Sequence, residues 1–241
     1  MNTKKVTFLM IISFLFFGAS LSFAEINEVD SNFDGKIDQW QYLGTDGKLK
    51  KMEYDGNFDG KVDQVEHFKG EKKIVRGEFD RNNDGKMDHF QYYNDSGKMT
   101  RTEMSSKQNG KIDSKKFFSD AQKLQRLELD NNGDGRFETT QMYDENESLT
   151  EIQNDSDGNG KPDSWSKYEN DQLKYTAFDT TNNGKPDQWQ YYDSSGQNKK
   201  IEYDTNNDGK ADRWEHFNAG KLAKTELDRN FDGKVDMTQN K

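Results

Sequence analysis

The chain has 241 residues, a formal net charge of −10 and no cysteine. The lack of cysteine excludes a disulfide framework and a lipid-modified cysteine, and the acidic balance argues against nucleic acid or an anionic membrane surface as a partner. Apolar residues make up only 29% of the sequence, well below the usual value of about 45–50%, so composition alone would indicate disorder. Abundant aromatic residues, 12% of the chain, and a strict repeat oppose that interpretation.

The segment from Met1 to Ala24 is typical of a secretory signal peptide. Lys4 and Lys5 precede an apolar run over residues 6–17, and a Ser-Phe-Ala sequence ending at Ala24 offers a cleavage site. The run is shorter than the roughly 20 residues of a membrane-spanning helix, so cleavage after Ala24 is favoured over an uncleaved anchor. We therefore predict an exported protein (periplasmic, cell-surface or secreted) with residues 25–241 as a single repeat domain and no membrane span after cleavage.

A loop of the form D-x-N-x-D-G-K-x-D returns nine times at a nearly constant interval. A fixed period of this size predicts a tandem array of small units. Glycine occupies the sixth loop position in every copy, where a sharp turn needs positive φ. The loops, numbered 1 to 9 in chain order, begin at Asp30, Asp55, Asp80, Ser105, Asp130, Asp155, Asp179, Asp204 and Asp228.

Between consecutive loops, each repeat contains two short runs separated by a turn signal. In the third copy His89–Tyr93 is aromatic, residues 94–97 are Asn-Asp-Ser-Gly, and Met99–Met104 is the second run. This pattern predicts strand, tight turn and strand, and the loop reverses the chain, so we expect an antiparallel meander of β-hairpins. Helices on both sides of the loop are disfavoured because the intervening segments are short and contain a turn.

A weaker period of two repeats lies on top of the first. Residues 91–93 are Gln-Tyr-Tyr, whereas residues 66–68 are Glu-His-Phe, and other copies alternate in the same way. The structural unit could then be about 50 residues with four strands, the size of a propeller blade. The alternative is an open, twisted array of hairpins with capped ends. The predicted fold class is all-β in either case.

Oxygen-bearing groups recur at alternate positions of each loop. Side chains at positions 1, 3, 5 and 9 and the backbone carbonyl of position 7 would supply them, and such a flexible shell suits Ca²⁺ better than Mg²⁺. Turn chemistry alone would explain one or two motifs, but many copies in register favour calcium. The predicted metal ligands are Asp30, Asn32, Asp34, Lys36, Asp38, Asp55, Asn57, Asp59, Lys61, Asp63, Glu66, Asp80, Asn82, Asp84, Lys86, Asp88, Asp130, Asn132, Asp134, Arg136, Glu138, Asp155, Asp157, Asn159, Lys161, Asp163, Asp179, Thr181, Asn183, Lys185, Asp187, Asp204, Asn206, Asp208, Lys210, Asp212, Glu215, Asp228, Asn230, Asp232, Lys234 and Asp236.

The nine loops differ in their ligand sets. Loop 7 has Thr181 and Asn183 at positions 3 and 5 and should bind weakly, and loop 4 has Lys107 at a ligand position and should bind no ion. About seven calcium ions are therefore expected, with Kd values of about 10⁻⁴–10⁻³ M. Without Lys4 and Lys5 the chain has 33 basic and 45 acidic residues, a charge of −12, which seven Ca²⁺ would change to +2.

The loops resemble those of known calcium-binding families. Asp30-Ser-Asn-Phe-Asp-Gly-Lys-Ile-Asp38 is similar to the calcium loop of EF-hand proteins and, in the Asp that leads into a strand, to FG-GAP repeats. Hairpins such as residues 92–98 resemble MORN-like repeats. The resemblance implies calcium binding at loop positions 1, 3, 5, 7 and 9. FG-GAP repeats form propellers, but each of them is longer than the repeat of this chain.

No catalytic motif stands out elsewhere. His67, His89 and His216 are repeat-column residues rather than a zinc or catalytic site. A glutamate column two residues before the loops is expected to form a cross-strand ladder with Lys and Arg. These glutamates are Glu53, Glu78, Glu103, Glu128, Glu202 and Glu226.

Two function classes remain open. The first is an exported binding module that needs calcium for folding and rigidity and contacts a carbohydrate or a protein through aromatic residues. The second is a calcium buffer or structural spacer without a specific ligand. A carbohydrate-active enzyme is less favoured, and we expect no enzymatic activity. The four candidate contact residues are Trp40, Trp165, Trp189 and Trp214.

Overall fold

The computed structural model describes residues 4–6, 23–70 and 72–241, and the side chains of residues 25–70 and 72–241. These residues form strands and turns and contain no helix, so the predicted all-β class is confirmed. The chain divides into two compact units, Met1–Gln122 and Lys123–Lys241. Most of the predicted signal peptide lies outside the described residues, and its cleavage stays a prediction.

The first unit contains strands β1 to β9. They are β1 (Lys4–Val6), β2 (Phe23–Val29), β3 (Gln39–Gly44), β4 (Leu49–Tyr54), β5 (Gln64–Lys69), β6 (Lys73–Phe79), β7 (His89–Tyr93), β8 (Met99–Met104) and β9 (Ser114–Phe118). The second unit contains strands β10 to β19. They are β10 (Leu124–Leu129), β11 (Thr139–Tyr143), β12 (Leu149–Asn154), β13 (Ser164–Glu169), β14 (Gln172–Phe178), β15 (Gln188–Tyr192), β16 (Asn198–Tyr203), β17 (Arg213–Asn218), β18 (Lys221–Leu227) and β19 (Met237–Asn240).

Within each unit, every strand pairs antiparallel with the next strand in sequence. In the β3–β4 hairpin Gln39 lies opposite Tyr54 and Gln41 opposite Met52, and a bulge follows Tyr42. Pairing continues without a break from β2 to β9 and from β10 to β19. The propeller alternative is therefore wrong, because four-stranded blades would interrupt the pairing; the open array of hairpins is confirmed.

Little apolar surface is removed from water in either unit. Among the described residues, Val65, Ala177 and Ile201 are the buried hydrophobic side chains, and most strand residues are half-buried. Because successive strand residues point to opposite faces, both faces of the sheet remain partly accessible. Stability must then come mainly from main-chain ladders and from side-chain pairs on each face.

The glutamate column on one sheet face is ion-paired, in a geometry that differs from the expected one. The cation usually lies two residues earlier on the same strand, as in Lys51–Glu53 at 2.7 Å and Arg101–Glu103 at 3.2 Å. Cross-strand partners are more often aromatic hydroxyls, such as Tyr92 donating to Glu103 at 2.9 Å. Residues i and i+2 share a face of a strand, which allows this same-strand pairing.

Within each unit, the connections between consecutive strands form two rows. Strands alternate in direction, so the metal-loop candidates lie at one end of the strands and the tight hairpin turns lie at the other. Consecutive loops are separated by two strands, or about 10 Å at the usual strand spacing. The repeat therefore places the candidate metal loops side by side along one edge.

Candidate metal-binding loops

Each loop contains two residues in the left-handed region. Position 6 is glycine throughout, with φ of 91° at Gly35 and 90° at Gly60. Position 4 also has positive φ, and there the residue varies: φ is 63° at Phe33 and 60° at Asn83. The positive φ at position 4 is not predicted by the repeat pattern because the residue type there is not constant. Asn or Gly stands at this position in five copies, and because both residue types tolerate positive φ they were the signal that could have predicted it.

The position 1 carboxylate holds the middle of the loop. Asp55 accepts hydrogen bonds from the backbone N–H of Asp59 at 3.1 Å and of Gly60 at 2.8 Å. The same pair of bonds forms in loop 1, where the amides at positions 5 and 6 of that loop donate to Asp30. An anionic side chain bonded to several amides is well stabilised. In loop 7 burial raises the pKa of Asp179, but hydrogen bonds from backbone amides, first that of Gly184, outweigh it and lower the pKa.

The position 9 carboxylate closes the loop. Asp63 accepts from the backbone N–H of Gly56 at 2.8 Å and of Asn57 at 2.9 Å. Bonds to the amide of position 2 recur in loops 1, 4, 5, 6, 7, 8 and 9. Most of these aspartates are buried; Asp38 is only 5% exposed. Position 9 thus has a structural role that does not depend on an ion.

Positions 3 and 5 form consecutive side-chain turns. Asn57 Oδ1 accepts from the amide of Asp59 at 2.8 Å, and Asp59 Oδ1 accepts from the amide of Lys61 at 2.9 Å. Loops 1, 3, 5, 8 and 9 repeat both bonds. This turn chemistry brings an oxygen of position 1 and an oxygen of position 3 to the same N–H, because the amide of Asp59 also donates to Asp55.

In each of loops 5 and 6, three acidic side chains converge. Asp130, Asp134 and Glu138 each offer a carboxylate oxygen within 4.8 Å of the others. The corresponding group in loop 6 consists of Asp155, Asp157 and Asp163. Oxygens at such separations fit the first shell of Ca²⁺, whose oxygen ligands lie about 2.3–2.6 Å from the ion. Among the described residues these are the two groups of three acidic, His or Cys side chains that converge in this way.

An open cleft of about 660 Å³ lies between loops 5 and 6. Arg136, at position 7 of loop 5, reaches across it and donates from Nη1 to the carbonyl oxygen of Gly158 at 2.5 Å. Phe137 and Pro162 line the remaining wall beside Glu138. The guanidinium therefore offsets part of the negative charge that the two acidic groups bring together.

Neighbouring loops are also joined by direct hydrogen bonds. Asn182 of loop 7 donates from Nδ2 to Asp157 of loop 6 at 3.1 Å, and the amide of Asp179 donates to the carbonyl of Asp163 at 2.9 Å. Asp157 is solvent-exposed, and the amide of Asn159 is the main cause of its lowered pKa. The carboxylate of this candidate metal ligand is thus oriented by two loops at once.

Loop 4 keeps the shape of the other loops although it lacks the position 1 carboxylate. Ser105 Oγ accepts from the amide of Asn109 at 3.2 Å, in place of Asp. Asp113 accepts from Ser106 at 2.8 Å and from Lys107 at 3.2 Å. Positive φ at positions 4 and 6 completes the match. The turn geometry is therefore separable from the ligand set.

Two predicted ligands lie on strands and are bonded to strand side chains. Glu66 on β5 accepts from Tyr54 Oη at 3.2 Å and from Gln64 at 2.9 Å. Glu215 on β17 accepts from Tyr203 at 3.2 Å and is also bonded by a neighbouring arginine on the same strand. The structure thus assigns both glutamates to the sheet face and does not bring them into loops 2 and 8.

Side chains at the seventh loop position also contact the neighbouring loop. The Lys61 stem lies against Gly85 of loop 3, and Lys86 lies against Gly110 of loop 4. The stem carbons cover the next loop while the amine stays near solvent. The predicted use of the backbone carbonyl at this position remains a prediction.

No helix in the described part of the chain is long and apolar enough to cross a membrane. A scan against protein-family models matched none, and a search of curated proteins found no match.

Proposed function

We propose that the chain is an exported calcium-binding repeat protein whose loops bind Ca²⁺ and thereby stabilise a β-hairpin array. The convergence of three carboxylates within 4.8 Å in each of loops 5 and 6 carries the proposal. Acidic groups held so close repel each other unless a cation or proton joins them. The recurrence of the same oxygen-bearing positions in loops 1, 2, 3, 8 and 9 extends it to about seven ions.

Because the hydrophobic core is small, bound calcium would supply a large part of the free energy that stabilises the fold. Binding to the folded state alone adds RT ln(1 + [Ca²⁺]/Kd) per site, about 1.4 kcal/mol at ten times Kd. Seven such sites would add roughly 10 kcal/mol, comparable to the whole stability of an ordinary domain. Amide bonds to position 1, and in loops other than loop 3 also to position 9, preorganise the loops, which lowers the conformational cost of binding.

Calorimetric titration of residues 25–241 tests the proposal directly. About seven ions with Kd near 10⁻⁴–10⁻³ M are expected, and Mg²⁺ should bind less tightly. Circular dichroism with and without a chelator measures the contribution to folding. An absence of calcium binding would contradict the proposal, and an unchanged β spectrum in chelator would limit calcium to a role in rigidity.

We further propose that an open sheet face serves as the contact surface for a carbohydrate or protein. Trp165 and Trp189 flank Ala177 in one cross-strand row, and Tyr175 and Tyr191 pack against each other on the same strands with ring centroids 5.5 Å apart. These aromatic residues are half-buried, so part of each ring can still stack on a ligand.

A pocket of about 380 Å³ borders the same row. Tyr191, Lys200 and His216 line it and supply an aromatic ring with polar groups around it, a combination that suits a sugar. A glycan screen and a pull-down with the calcium-loaded protein test this role, with Tyr191→Ala as the variant expected to lose binding. Failure of both assays would favour the spacer or buffer role.

A further inference from the structure

The glycine at loop position 6 donates its backbone N–H to the position 1 carboxylate in eight of the nine loops. Gly160 donates to Asp155 at 2.7 Å, and Gly184 donates to Asp179 at 2.6 Å. The same bond forms in loops 1, 2, 3, 5, 8 and 9. Hydrogen bonds to a charged acceptor are stronger than neutral ones, so this carboxylate holds the glycine amide in place.

Loop 4 lacks this bond because Ser105 stands at position 1. The Ser105 Oγ accepts from the N–H of Asn109 at 3.2 Å and donates to Asn109 Oδ1, also at 3.2 Å. Within the described part of the chain, the N–H of Gly110 donates to no hydrogen-bond acceptor. Both Asn109 and Gly110 are exposed to solvent. The amide that a carboxylate holds in the other loops therefore has no such partner in loop 4.

The residue before Gly110 gives this amide a chemical meaning. An Asn-Gly pair is prone to deamidation, because glycine has no side chain to keep its nitrogen away from the asparagine carbonyl carbon. The chain contains three other Asn-Gly pairs, and in each of them the glycine N–H donates to a position 1 carboxylate. These pairs are Asn132-Gly133, with Asp130 as the acceptor at 2.6 Å, Asn159-Gly160 and Asn183-Gly184. All four asparagines are exposed, so the glycine hydrogen bond is what distinguishes loop 4.

The side chain of Asn109 is polarised for attack. Its Oδ1 accepts from the N–H of Lys111 at 2.9 Å as well as from Ser105 Oγ. Such donors stabilise the negative charge that develops on a carbonyl oxygen when a nucleophile adds to its carbon. The electrophile and the unbound nucleophile therefore stand on adjacent residues.

Deamidation at this pair needs only hydroxide and water as further reactants. Hydroxide removes the N–H proton of Gly110, and the nitrogen forms a bond to Cγ of Asn109. The Cγ–Nδ2 bond then breaks, and the side-chain nitrogen takes a proton from water and leaves as ammonia. Water finally opens the succinimide ring at either carbonyl and gives aspartate or isoaspartate.

We propose that Asn109 is a site of spontaneous deamidation and that this modification is faster in loop 4 than at the other Asn-Gly pairs. In loops 5, 6 and 7 the glycine has to give up its bond to a carboxylate before its nitrogen can attack, which raises the barrier. The inference does not depend on calcium binding by any loop.

The aspartate product brings loop 4 closer to the pattern of the other loops. A carboxylate at residue 109 adds one negative charge and matches position 5 of loops 1, 2, 3, 5, 8 and 9. Those residues are Asp34, Asp59, Asp84, Asp134, Asp208 and Asp232. Isoaspartate, in contrast, inserts a methylene group into the main chain, so the bond from the Lys111 N–H should be lost.

Peptide mapping by mass spectrometry tests the inference on residues 25–241 incubated at neutral pH without added calcium. The four Asn-Gly pairs share one chain and one solution, so three of them are controls for the fourth. Asn109 should deamidate at least about tenfold faster than Asn132, Asn159 or Asn183, because breaking a bond to a charged acceptor adds to their barrier. In urea, which unfolds the chain, the four rates should become similar.

Ser105→Asp is the decisive variant, because it gives loop 4 the acceptor that holds Gly160 and Gly184. It should slow the deamidation of Asn109 to the rate of the other three pairs. Ser105→Ala is the matched control, since it removes the hydroxyl without supplying a carboxylate, and Asn109 should remain the fastest of the four. Circular dichroism shows whether each variant keeps the β spectrum of the parent chain.

Three results would overturn the inference. Equal rates at the four pairs in the folded parent chain would do so, whether or not the variants fold. A faster rate at Asn109 that persists in urea would assign the effect to local sequence instead of the loop. Undiminished deamidation of Asn109 in a folded Ser105→Asp variant would show that the carboxylate does not protect the pair.

Discussion

The Asp113 carboxylate accepts two hydrogen bonds from Ser106, one from the backbone N–H and one from Oγ, each at 2.8 Å. These bonds lie in loop 4, whose Lys107 occupies a position where the other loops carry an oxygen-bearing side chain. Asp113 is 6% exposed. In this loop the position 9 carboxylate can be studied as a structural group, separately from metal binding.

Asp113→Ala should destabilise the first unit. The change removes the acceptor for the amides of Ser106 and Lys107, and an unsatisfied buried donor costs about 1–3 kcal/mol. Urea unfolding measures the loss of free energy. Calorimetry should show the same number of bound calcium ions as in the parent chain; a lost ion would mean that loop 4 is a metal site.

Loop 4 should acquire calcium binding when its ligand set is restored. Ser105→Asp, Lys107→Asn and Asn109→Asp together give it the set of loop 2, and its backbone already has the required left-handed residues. We expect one additional ion in calorimetry. Lys107→Asn alone is the matched control and should leave the stoichiometry unchanged. If the triple variant binds no more calcium, the loop shape in this structure is not the binding shape.

Asp157→Asn should weaken one calcium site in loop 6. The substitution keeps an oxygen at position 3 but removes one of three converging charges, and fewer charged ligands lower affinity, here by at least about tenfold. Calorimetric calcium titration is the measurement. Asn182→Ala removes the bond from loop 7 to Asp157 without deleting a ligand of loop 6, and it should retain the ion.

Acid should weaken the sheet-face ion pairs. The hydrogen bond from His67 is the main cause of the lowered pKa of Glu78, and it outweighs the opposing effect of burial. A carboxylate whose folded pKa lies below its ordinary 4.5 stabilises the fold above that pH, and the contribution is lost as pH falls through the lowered value.

Glu78→Gln should therefore destabilise the protein at pH 7 and have a smaller effect near pH 3. Chemical unfolding at the two pH values gives the difference in free energy. Glu145→Gln, in an exposed hairpin turn, is the control and should have a small effect at both. An equal loss for Glu78→Gln at the two pH values would contradict the charge-based explanation.

Periodicity made the fold class accessible without a structure. The turn residues around Gly97 and the aromatic run His89–Tyr93 are local signals, and each recurs at a nearly constant interval, so the hairpins could be predicted individually. The same reasoning located every loop. The propeller alternative, with its four-stranded blades, was wrong. The residue types at 66–68 and 91–93 alternate between copies, but they do not determine where hydrogen bonding between strands stops.

The sequence by itself determined the repeat, the all-β class, the nine loops and the oxygen-bearing positions within them, because these depend on residue type and spacing over short stretches of chain. Only the tertiary structure decided which oxygens meet. It placed Glu66 and Glu215 on the sheet and bound Asp63 to the amides of its own loop. It also put Phe33 in a strained, exposed conformation. These outcomes depend on backbone direction and on groups from neighbouring strands and loops, which become neighbours only when the chain is folded.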